Sequence, residues 1–318
     1  MATYTFDLLL DALSADGTSY ILGAGASSPH VPTLSDLPRR VALYSSRLGS
    51  FAAGGLPDSP LRRLIAPMIE KALTATTLEE WKPSAMTPAT IAVILEHVIT
   101  TAHWLPLPQY EVFRLIPHNS SVVSFNWDGL ALARCHQSDV IHPHGIVRPR
   151  LLLSSQLDEV LDDTQLLESP DAREWVLPGL VMPGEEDSPK LAAIREKVFN
   201  LWLHASQAII IGYSFGLGSA LDYDRVWLDT FAEAFRINSR AAIHVLAPNA
   251  DWLRGGMAER LNRTVNVHAW PLNWHALSRA LLQGAREYGS MRLAELRAHR
   301  DTLERLYRAA LESPVAIA

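Results

Sequence analysis

Four short stretches of this sequence carry side chains that could bind or transform a small molecule. The first is Gly23-Ala24-Gly25-Ala26-Ser27, directly after the run Tyr20-Ile21-Leu22. The others are Asn126-Trp127-Asp128, His142-Pro143-His144-Gly145 and Gly212-Tyr213-Ser214. Together they offer an amide, a carboxylate, imidazoles and backbone N–H groups, which suits the binding of a phosphorylated ligand and proton transfer beside it.

The glycine stretch is typical of a turn that cradles phosphate. Gly23 would permit the unusual torsions of a tight turn, and Gly25 would let the backbone approach a pyrophosphate without a Cβ in the way. A strand followed by Gly-x-Gly also occurs as a plain connection, so the other three stretches give this one its weight.

The polar pair Asn126 and Asp128 follows an apolar run. Strand alternation would point both side chains one way and Trp127 the other. Asp128 fits a helix N-cap as well as it fits a site residue. Asn126 is more informative, because a buried amide at a strand end must find hydrogen-bond partners.

The histidines 142 and 144 could be metal ligands, a structural pair or a catalytic base. The proline between them and the absence of other clustered ligands disfavour a metal, so we expect no metal site. A histidine directly before Gly145, just past a strand and opposite a phosphate turn, favours a catalytic role for His144.

The elements that must position these stretches alternate between strand and helix. Strands are predicted at 19–22, 121–125, 139–142, 179–182, 207–212, 242–247 and 265–269, and helices at 5–14, 190–204, 223–236, 251–262 and 273–284. This order predicts an α/β, Rossmann-like parallel sheet with helices on both faces. Because ligands sit outside the carboxyl ends of such strands, all four stretches can face one crevice.

Two further segments depart from this alternation. Residues 35–120 are rich in proline with helical patterns near 60–74, 88–103 and 108–116, which predicts an all-helical insertion within a core domain 1–285. Residues 286–318 form a Leu-, Arg- and Glu-rich helical extension. It could pack on its own domain or contact another subunit.

The bulk composition excludes several classes of protein. The 318 residues carry a formal charge of −6, which disfavours a nucleic-acid partner. The single cysteine, Cys135, excludes a disulfide framework and a Cys-rich zinc site. No apolar run approaches the length of a membrane span, and the N-terminus lacks the pattern of a signal peptide. We therefore expect a cytoplasmic protein.

In the order of these motifs the chain resembles the sirtuin family, and within it the bacterial NAD-hydrolysing branch. The glycine stretch resembles the family's opening Gly-Ala-Gly motif, Phe125-Asn126-Trp127-Asp128 its Gln-Asn-Ile-Asp motif, and His144-Gly145 its catalytic His-Gly. The resemblance extends to Val31-Pro32-Thr33, where deacylases carry Ile-Pro-Asp, to Gly212-Tyr213-Ser214, and to Asn249 near the adenosine ribose.

The departures from the family pattern are specific. The zinc-binding quartet of cysteines is absent, and Phe125 and Thr33 replace the family's glutamine and aspartate. Since deacylases grip their acyl-lysine peptide with the zinc module, deacylation is not the expected activity.

The resemblance implies cleavage of the nicotinamide–ribose bond of NAD, which would be the substrate. Asn126 would orient the ribose and the attacking water, His144 would accept a proton, and Asp128 would hold the nicotinamide end. The nucleotide would be bound by the remaining motif residues: Gly23, Ala24, Gly25, Ala26, Ser27, Pro32, Thr33, Gly212, Tyr213, Ser214 and Asn249. It also implies an antiphage effector that depletes NAD under the control of a homo-oligomer or a regulatory protein partner.

Three alternatives remain at this stage. The run Gly212-Tyr213-Ser214-Phe215-Gly216 fits the nucleophile elbow of a serine hydrolase, with Asp222, Asp224 or Asp251 as acid and His268 or His275 as base. The pocket could instead serve a non-catalytic sensor of NAD or an ADP-ribose derivative, or an NAD-dependent protein deacylase.

Overall fold

A computed structural model describes residues 6–31, 107–146, 191–217, 224–261 and 266–313 of the chain. The chain divides into two compact units. One contains Met1–Pro29, Pro106–His144 and Val181–Ala318, and the other contains His30–Leu105 and Gly145–Leu180. The helices predicted near 60–74 and 88–103, the strand predicted at 179–182, and the site residues Pro32 and Thr33 lie outside the described residues.

The first unit alternates between strands and helices. In chain order its elements are α1 (Phe6–Ser14), β1 (Thr18–Leu22), α2 (Ala24–Ser27), α3 (Pro108–Glu111), a 3₁₀ turn (Val112–Leu115), β2 (Ser121–Ser124), α4 (Leu130–Arg134), β3 (Asp139–Ile141), α5 (Ala192–His204), β4 (Gln207–Ile211), α6 (Arg225–Ile237), β5 (Ala242–Leu246), α7 (Ala250–Arg260), β6 (Val267–Trp270), α8 (Trp274–Tyr288), a 3₁₀ segment (Leu293–His299) and α9 (Arg300–Glu312).

Within the described residues, six strands form one sheet in the order β3-β2-β1-β4-β5-β6. Every neighbouring pair is parallel; the register sets Tyr20 beside Val122 on one side and Ile209 on the other. This is the strand order of a Rossmann-type sheet. The predicted α/β fold with a parallel sheet is therefore confirmed.

Helices cover both faces of the sheet, and after Gln207 its central strand β4 is apolar from Ala208 to Ile211. All five residues of β4 are buried. On one face, Ile210 belongs to an aromatic core with Trp202 of α5 and Trp227 and Phe231 of α6. On the other side of the unit, α8 packs against α3 and α9. A strand buried on both faces must be apolar without alternation, as this one is.

The C-terminal extension packs on its own unit. Leu293, Leu296 and Leu303 are fully buried, and both the 3₁₀ segment and α9 contact α8 and α1. At the edge of this contact the Arg300 guanidinium lies 2.8 Å from the Asp7 carboxylate. Of the two expectations for this extension, packing on the domain is the one observed.

No helix in the described ranges is long and apolar enough to cross a lipid bilayer.

Candidate active site

The first and fourth of the six strands place two glycine turns side by side. The strand order reverses between β1 and β4, and in doubly wound sheets this switch point opens the ligand crevice at the carboxyl ends of the strands. Gly23 follows β1 and Gly212 follows β4. The two motifs that sequence spacing predicted to share a site therefore adjoin.

The glycines of the two turns interlock backbone against backbone. A Cβ on Gly23 would lie 2.6 Å from the Gly212 carbonyl oxygen, and one on Gly212 would lie 2.5 Å from the Ala26 nitrogen. Gly23 itself has an ordinary extended conformation, with φ −114°. The expectation that Gly23 is needed for unusual torsions is wrong; it is needed because the neighbouring backbone leaves no room for a side chain. Gly212, with φ +59°, is the residue in the left-handed region.

Three N–H groups of the first turn are bonded within the protein. Gly23 donates to the Ile211 carbonyl at 3.0 Å, Gly25 donates to the Gly212 carbonyl at 3.0 Å, and Ala26 donates to the Gly23 carbonyl at 2.8 Å. The first two bonds join this turn to the end of β4 and the turn after it, and the third lies within the first turn, so all three donors are already used. A pyrophosphate bound at this edge would use other donors.

Ser27 is the centre of a buried hydrogen-bond network that joins β1 to β2. Its hydroxyl lies 2.6 Å from Tyr110 Oη and accepts a hydrogen bond from Asn126 Nδ2 at 2.9 Å. It also donates a short hydrogen bond to Asp128 Oδ2. All four side chains are buried. Three of the sequence-predicted site residues, Ser27, Asn126 and Asp128, are thus brought into one cluster.

Asp128 uses both carboxylate oxygens inside the protein. Besides the bond from Ser27, Oδ1 accepts the Leu130 N–H at 2.9 Å, at the first residue of α4. The N-cap of α4 is Gly129, so Asp128 lies one residue before the N-cap position that the sequence also allowed for it. Asp128 therefore accepts hydrogen bonds both from the Ser27 network and from the first turn of α4.

The side-chain oxygen of Asn126 has no hydrogen-bond partner among the described residues, although it is buried. The amide nitrogen, by contrast, faces Ser27 Oγ at 2.9 Å and Tyr110 Oη at 3.3 Å. Leaving a buried acceptor unpaired costs about 1–3 kcal/mol. Such an atom is expected where a ligand supplies the missing donor.

His142 packs beside this network. Its Nδ1 lies 3.1 Å from the Asn126 carbonyl oxygen, and its buried Nε2 has no partner among the described residues. Burial lowers the pKa of His142 below its ordinary value, although the Asn126 carbonyl opposes that change. His142 is therefore neutral at neutral pH and donates from Nδ1 to the carbonyl.

His144 lies in a second cluster, on the aromatic side of β2. Its ring meets Phe125 edge-on at 5.0 Å and Trp227 at 6.3 Å. Its Nε2 is 3.1 Å from Asp224 Oδ1, but the carboxylate lies off the hydrogen-bonding direction of the ring nitrogen. The contact is therefore a close ion pair when His144 is protonated.

Asp224 is a functional candidate that its position in the sequence did not reveal as a partner of His144. Its side chain is 14% exposed, and its backbone has φ +61°, unusual for a residue other than glycine. Backbone strain of this kind concentrates at functional sites. In the sequence Asp224 stood out only as a candidate acid of the serine hydrolase alternative, at the predicted start of α6.

The aromatic rings of Phe125 and Tyr213 pack against each other beside His144. Their rings stack at 4.3 Å with an interplanar angle of 12°. Ser214 follows Tyr213 in the turn after β4, and its carbonyl accepts the Leu217 N–H at 3.0 Å. Asn249 lies exposed at the start of α7, after β5. Asn126 and His144 therefore belong to two clusters, and Phe125 is the neighbour of Asn126 in sequence and touches the ring of His144.

Tyr110 and Gln109 belong to the site although no motif pointed to them. Gln109 Nε2 donates to the Ser27 backbone carbonyl at 3.3 Å. The backbone carbonyl of Gln109 accepts a hydrogen bond from Trp274 Nε1 at 3.0 Å. Both residues lie on α3, inside the segment assigned by sequence to the helical insertion. Only the tertiary structure brings this short helix beside Ser27.

A separate cleft of about 410 Å³ lies at the opposite, amino edge of the sheet, lined by residues that include Asn119, Asp139 and Lys197. It shares no residue with the clusters around Asn126 and His144. In the described part of the chain, no group of three or more His, Cys, Asp or Glu side chains is placed to hold a metal ion.

Comparison with known proteins identifies a distant structural similarity. No family model matches the chain, and no curated protein matches it. Among solved structures, it is similar to one described as Sir2 in complex with the inhibitor EX-527, 2'-O-acetyl-ADP-ribose and a deacetylated p53 peptide. The two are 17% identical, the similarity covers 86% of this chain and 94% of that one, and the TM-score is 0.37. The fold assignment rests on the strand order described above.

Proposed function

We propose that this protein is an NAD glycohydrolase that cleaves the nicotinamide–ribose bond of NAD to give nicotinamide and ADP-ribose. The observation that carries the proposal is the buried, unpaired oxygen of Asn126. It lies at the carboxyl end of β2, next to the switch-point strand β1, where a doubly wound sheet binds nucleotides. The order of motifs that resembles sirtuins supplies the substrate class.

The chemistry asked of the site is stabilisation of an oxocarbenium-like transition state. Asn126 Oδ1, as an acceptor, would hold a ribose hydroxyl or the attacking water. His144 would take the proton from that group, and Asp224 would stabilise the imidazolium that forms. Asp128 acts through Ser27 in this scheme. That role replaces direct contact with nicotinamide, since both of its oxygens already have protein donors.

The serine hydrolase alternative lacks support from the geometry. The positive-φ residues of the turn are Gly212, Phe215 and Gly216, so Ser214 does not occupy the strained position of an elbow nucleophile. Within the described ranges no hydrogen bond joins Ser214 to a histidine. His275 Nδ1 lies 3.2 Å from Gln109 Oε1, and His268 stacks on His244.

The deciding experiment is incubation of the purified protein with NAD and chromatography of the products. We expect equimolar nicotinamide and ADP-ribose from the wild type. Asn126→Ala and His144→Ala should each lower turnover by at least about 100-fold, the lower range for loss of a general base or an oriented polar group. Exposed Asn249→Ala serves as an amide control that tests only nucleotide affinity.

Several outcomes would replace this proposal. Binding of NAD without nicotinamide release would identify a sensor. Release that requires an acyl-lysine peptide would identify a deacylase. Labelling of Ser214 by a fluorophosphonate would identify a serine hydrolase.

The proposal extends to the biological role. An enzyme that consumes NAD without control is toxic, so we propose a cytoplasmic antiphage effector held in check by a homo-oligomer or by a regulatory protein partner. Size measurement with and without NAD, alongside activity, tests whether assembly and turnover change together.

A further inference from the structure

The directions of the hydrogen bonds around Ser27 follow from how many protons each group can give. A hydroxyl donates one proton, and a carboxylate only accepts. Ser27 Oγ donates its proton to Asp128 Oδ2. It has none left for Tyr110 Oη, 2.6 Å away. Tyr110 must therefore be the donor in that pair.

Both hydroxyls consequently present only lone pairs to Asn126. An amide oxygen turned toward them would meet two oxygen acceptors with no proton between. The amide nitrogen carries two protons, and the two hydroxyl oxygens lie 2.9 Å and 3.3 Å from it. The NH₂ group is therefore forced inward, and Oδ1 is the atom left without a protein partner.

We propose that Tyr110 is a positioning residue that fixes the amide of Asn126, so that the site presents its substrate with an acceptor and never with a donor. The group that binds there must then donate a hydrogen bond, which in the proposed function is a ribose hydroxyl or the attacking water. This inference rests on the proposed function for the identity of the substrate. The orientation of the amide stands on the network alone.

The surroundings of Tyr110 suit a fixed donor. It is fully buried, and burial, reinforced by the charge of Asp128, raises the pKa of its phenol well above the ordinary value. The phenol therefore keeps its proton. Helix α3 is held in turn by the Gln109 bonds to Ser27 and Trp274.

Side-chain NMR tests the orientation without any assay of activity. In ¹⁵N-labelled protein, the Asn126 NH₂ signals are identified by their loss in Asn126→Ala. We expect their protons to exchange with solvent at least about tenfold more slowly than those of exposed Asn249, because bonded buried groups exchange only on local opening. In Tyr110→Phe this protection should fall several-fold.

Tyr20→Phe is the matched control. Tyr20 is also fully buried and donates its hydroxyl, at 2.7 Å, to the Leu13 carbonyl, away from Asn126. It should lose stability without a change in Asn126 protection. Unprotected Asn126 protons in the wild type overturn the proposal even if Tyr110→Phe does not fold. Unchanged protection in a folded Tyr110→Phe overturns it as well.

The kinetic arm separates this inference from the proposed function. An acceptor that strengthens its bond in the transition state should show in kcat, so Tyr110→Phe is expected to lower kcat about tenfold with KM nearly constant. A loss of stability alone, with kcat unchanged, counts against Tyr110. If the wild type releases no nicotinamide while the NMR result holds, the proposed function fails and the positioning role stands.

Discussion

The rotation of one side-chain amide decides what the candidate site can bind. Sequence reasoning held that a buried Asn126 must find partners, and the structure provides them for the nitrogen alone. The oxygen is left unpaired because Ser27 has already given its proton to Asp128 and Tyr110 has given its proton to Ser27. An unpaired acceptor at the carboxyl end of β2 follows from three other side chains.

The ion pair between His144 and Asp224 gives a prediction at the same scale. Asp224→Asn should lower turnover by no more than about 100-fold, the lower end of a general base's contribution, because His144 itself remains. The measurement is steady-state nicotinamide release. Asp229→Asn, on the same helix and exposed, is the control. Equal turnover in Asp224→Asn and the wild type would remove Asp224 from the mechanism.

A buried histidine on the sheet predicts acid sensitivity. Burial, reinforced by nearby His268, lowers the pKa of His244 from 6.5 to about 4. The unfolded chain therefore binds more protons between these values, so stability is complete above pH 6.5 and is lost as pH falls toward 4. The loss should be about 3 kcal/mol, since one pKa unit is worth about 1.4 kcal/mol.

Chemical denaturation across this pH range measures that effect. His244→Gln should flatten the decline, because glutamine keeps an acceptor for Trp270 Nε1, which lies 3.1 Å from His244 Nδ1, but cannot take up a proton. Exposed His204→Gln should leave the decline as it is. A wild-type free energy of unfolding that stays constant from pH 6.5 to 4 would contradict the prediction.

At the scale of elements, the two glycine turns pack against each other at the carboxyl ends of β1 and β4. Gly212→Ala meets backbone atoms at 2.5 Å and must hold φ at +59°. Strain and overpacking each cost about 1–3 kcal/mol, so the sum should be about 2–6 kcal/mol in the free energy of unfolding.

A second glycine tests this reasoning in the opposite direction. Gly255 lies within α7 with nothing near the position of its Cβ. Gly255→Ala should therefore stabilise the protein by about 0.5–1 kcal/mol. Thermal or denaturant unfolding compares the two variants. Similar effects from both would mean that the turns do not interlock as described.

The C-terminal extension is part of the folded unit. Leu303 is fully buried, and its Cδ2 occupies the place that a Cβ on Gly284 of α8 would need. We expect Leu303→Ala to lower the free energy of unfolding, measured by chemical denaturation, by about 2–5 kcal/mol. Leu311→Ala, on the half-exposed face of the same helix, should stay within about 0.5 kcal/mol. If only Leu311→Ala lowered the free energy of unfolding, the helix would stabilise the protein through a contact outside its own unit.

At the scale of the whole molecule, the sheet collects residues far apart in the chain at one edge. A ligand bound there should stabilise the folded state as a unit. ADP-ribose at about 100 times its Kd should add about 2.7 kcal/mol to the free energy of unfolding. The shift in Tm should shrink in Asn126→Ala and persist in Asn119→Ala, at the cleft on the opposite edge. The reverse pattern would place the ligand in that cleft.

The sequence by itself determined the α/β class and, to within a few residues, the bounds of the described strands. Their patterns are local: β4 is apolar from Ala208 to Ile211 because it is buried on both faces. Sequence also singled out Ser27, Asn126 and Asp128, since polar groups at strand ends are conspicuous.

Only the tertiary structure decided how those residues work. It showed that Gly23 serves packing against Gly212, that Tyr110 orients Asn126, and that Asp224 faces His144. Each of these contacts joins positions at least 80 residues apart or depends on the direction of a hydrogen bond. Periodicity reports which face a residue occupies, and it carries no information about which atom of a distant segment will meet it there.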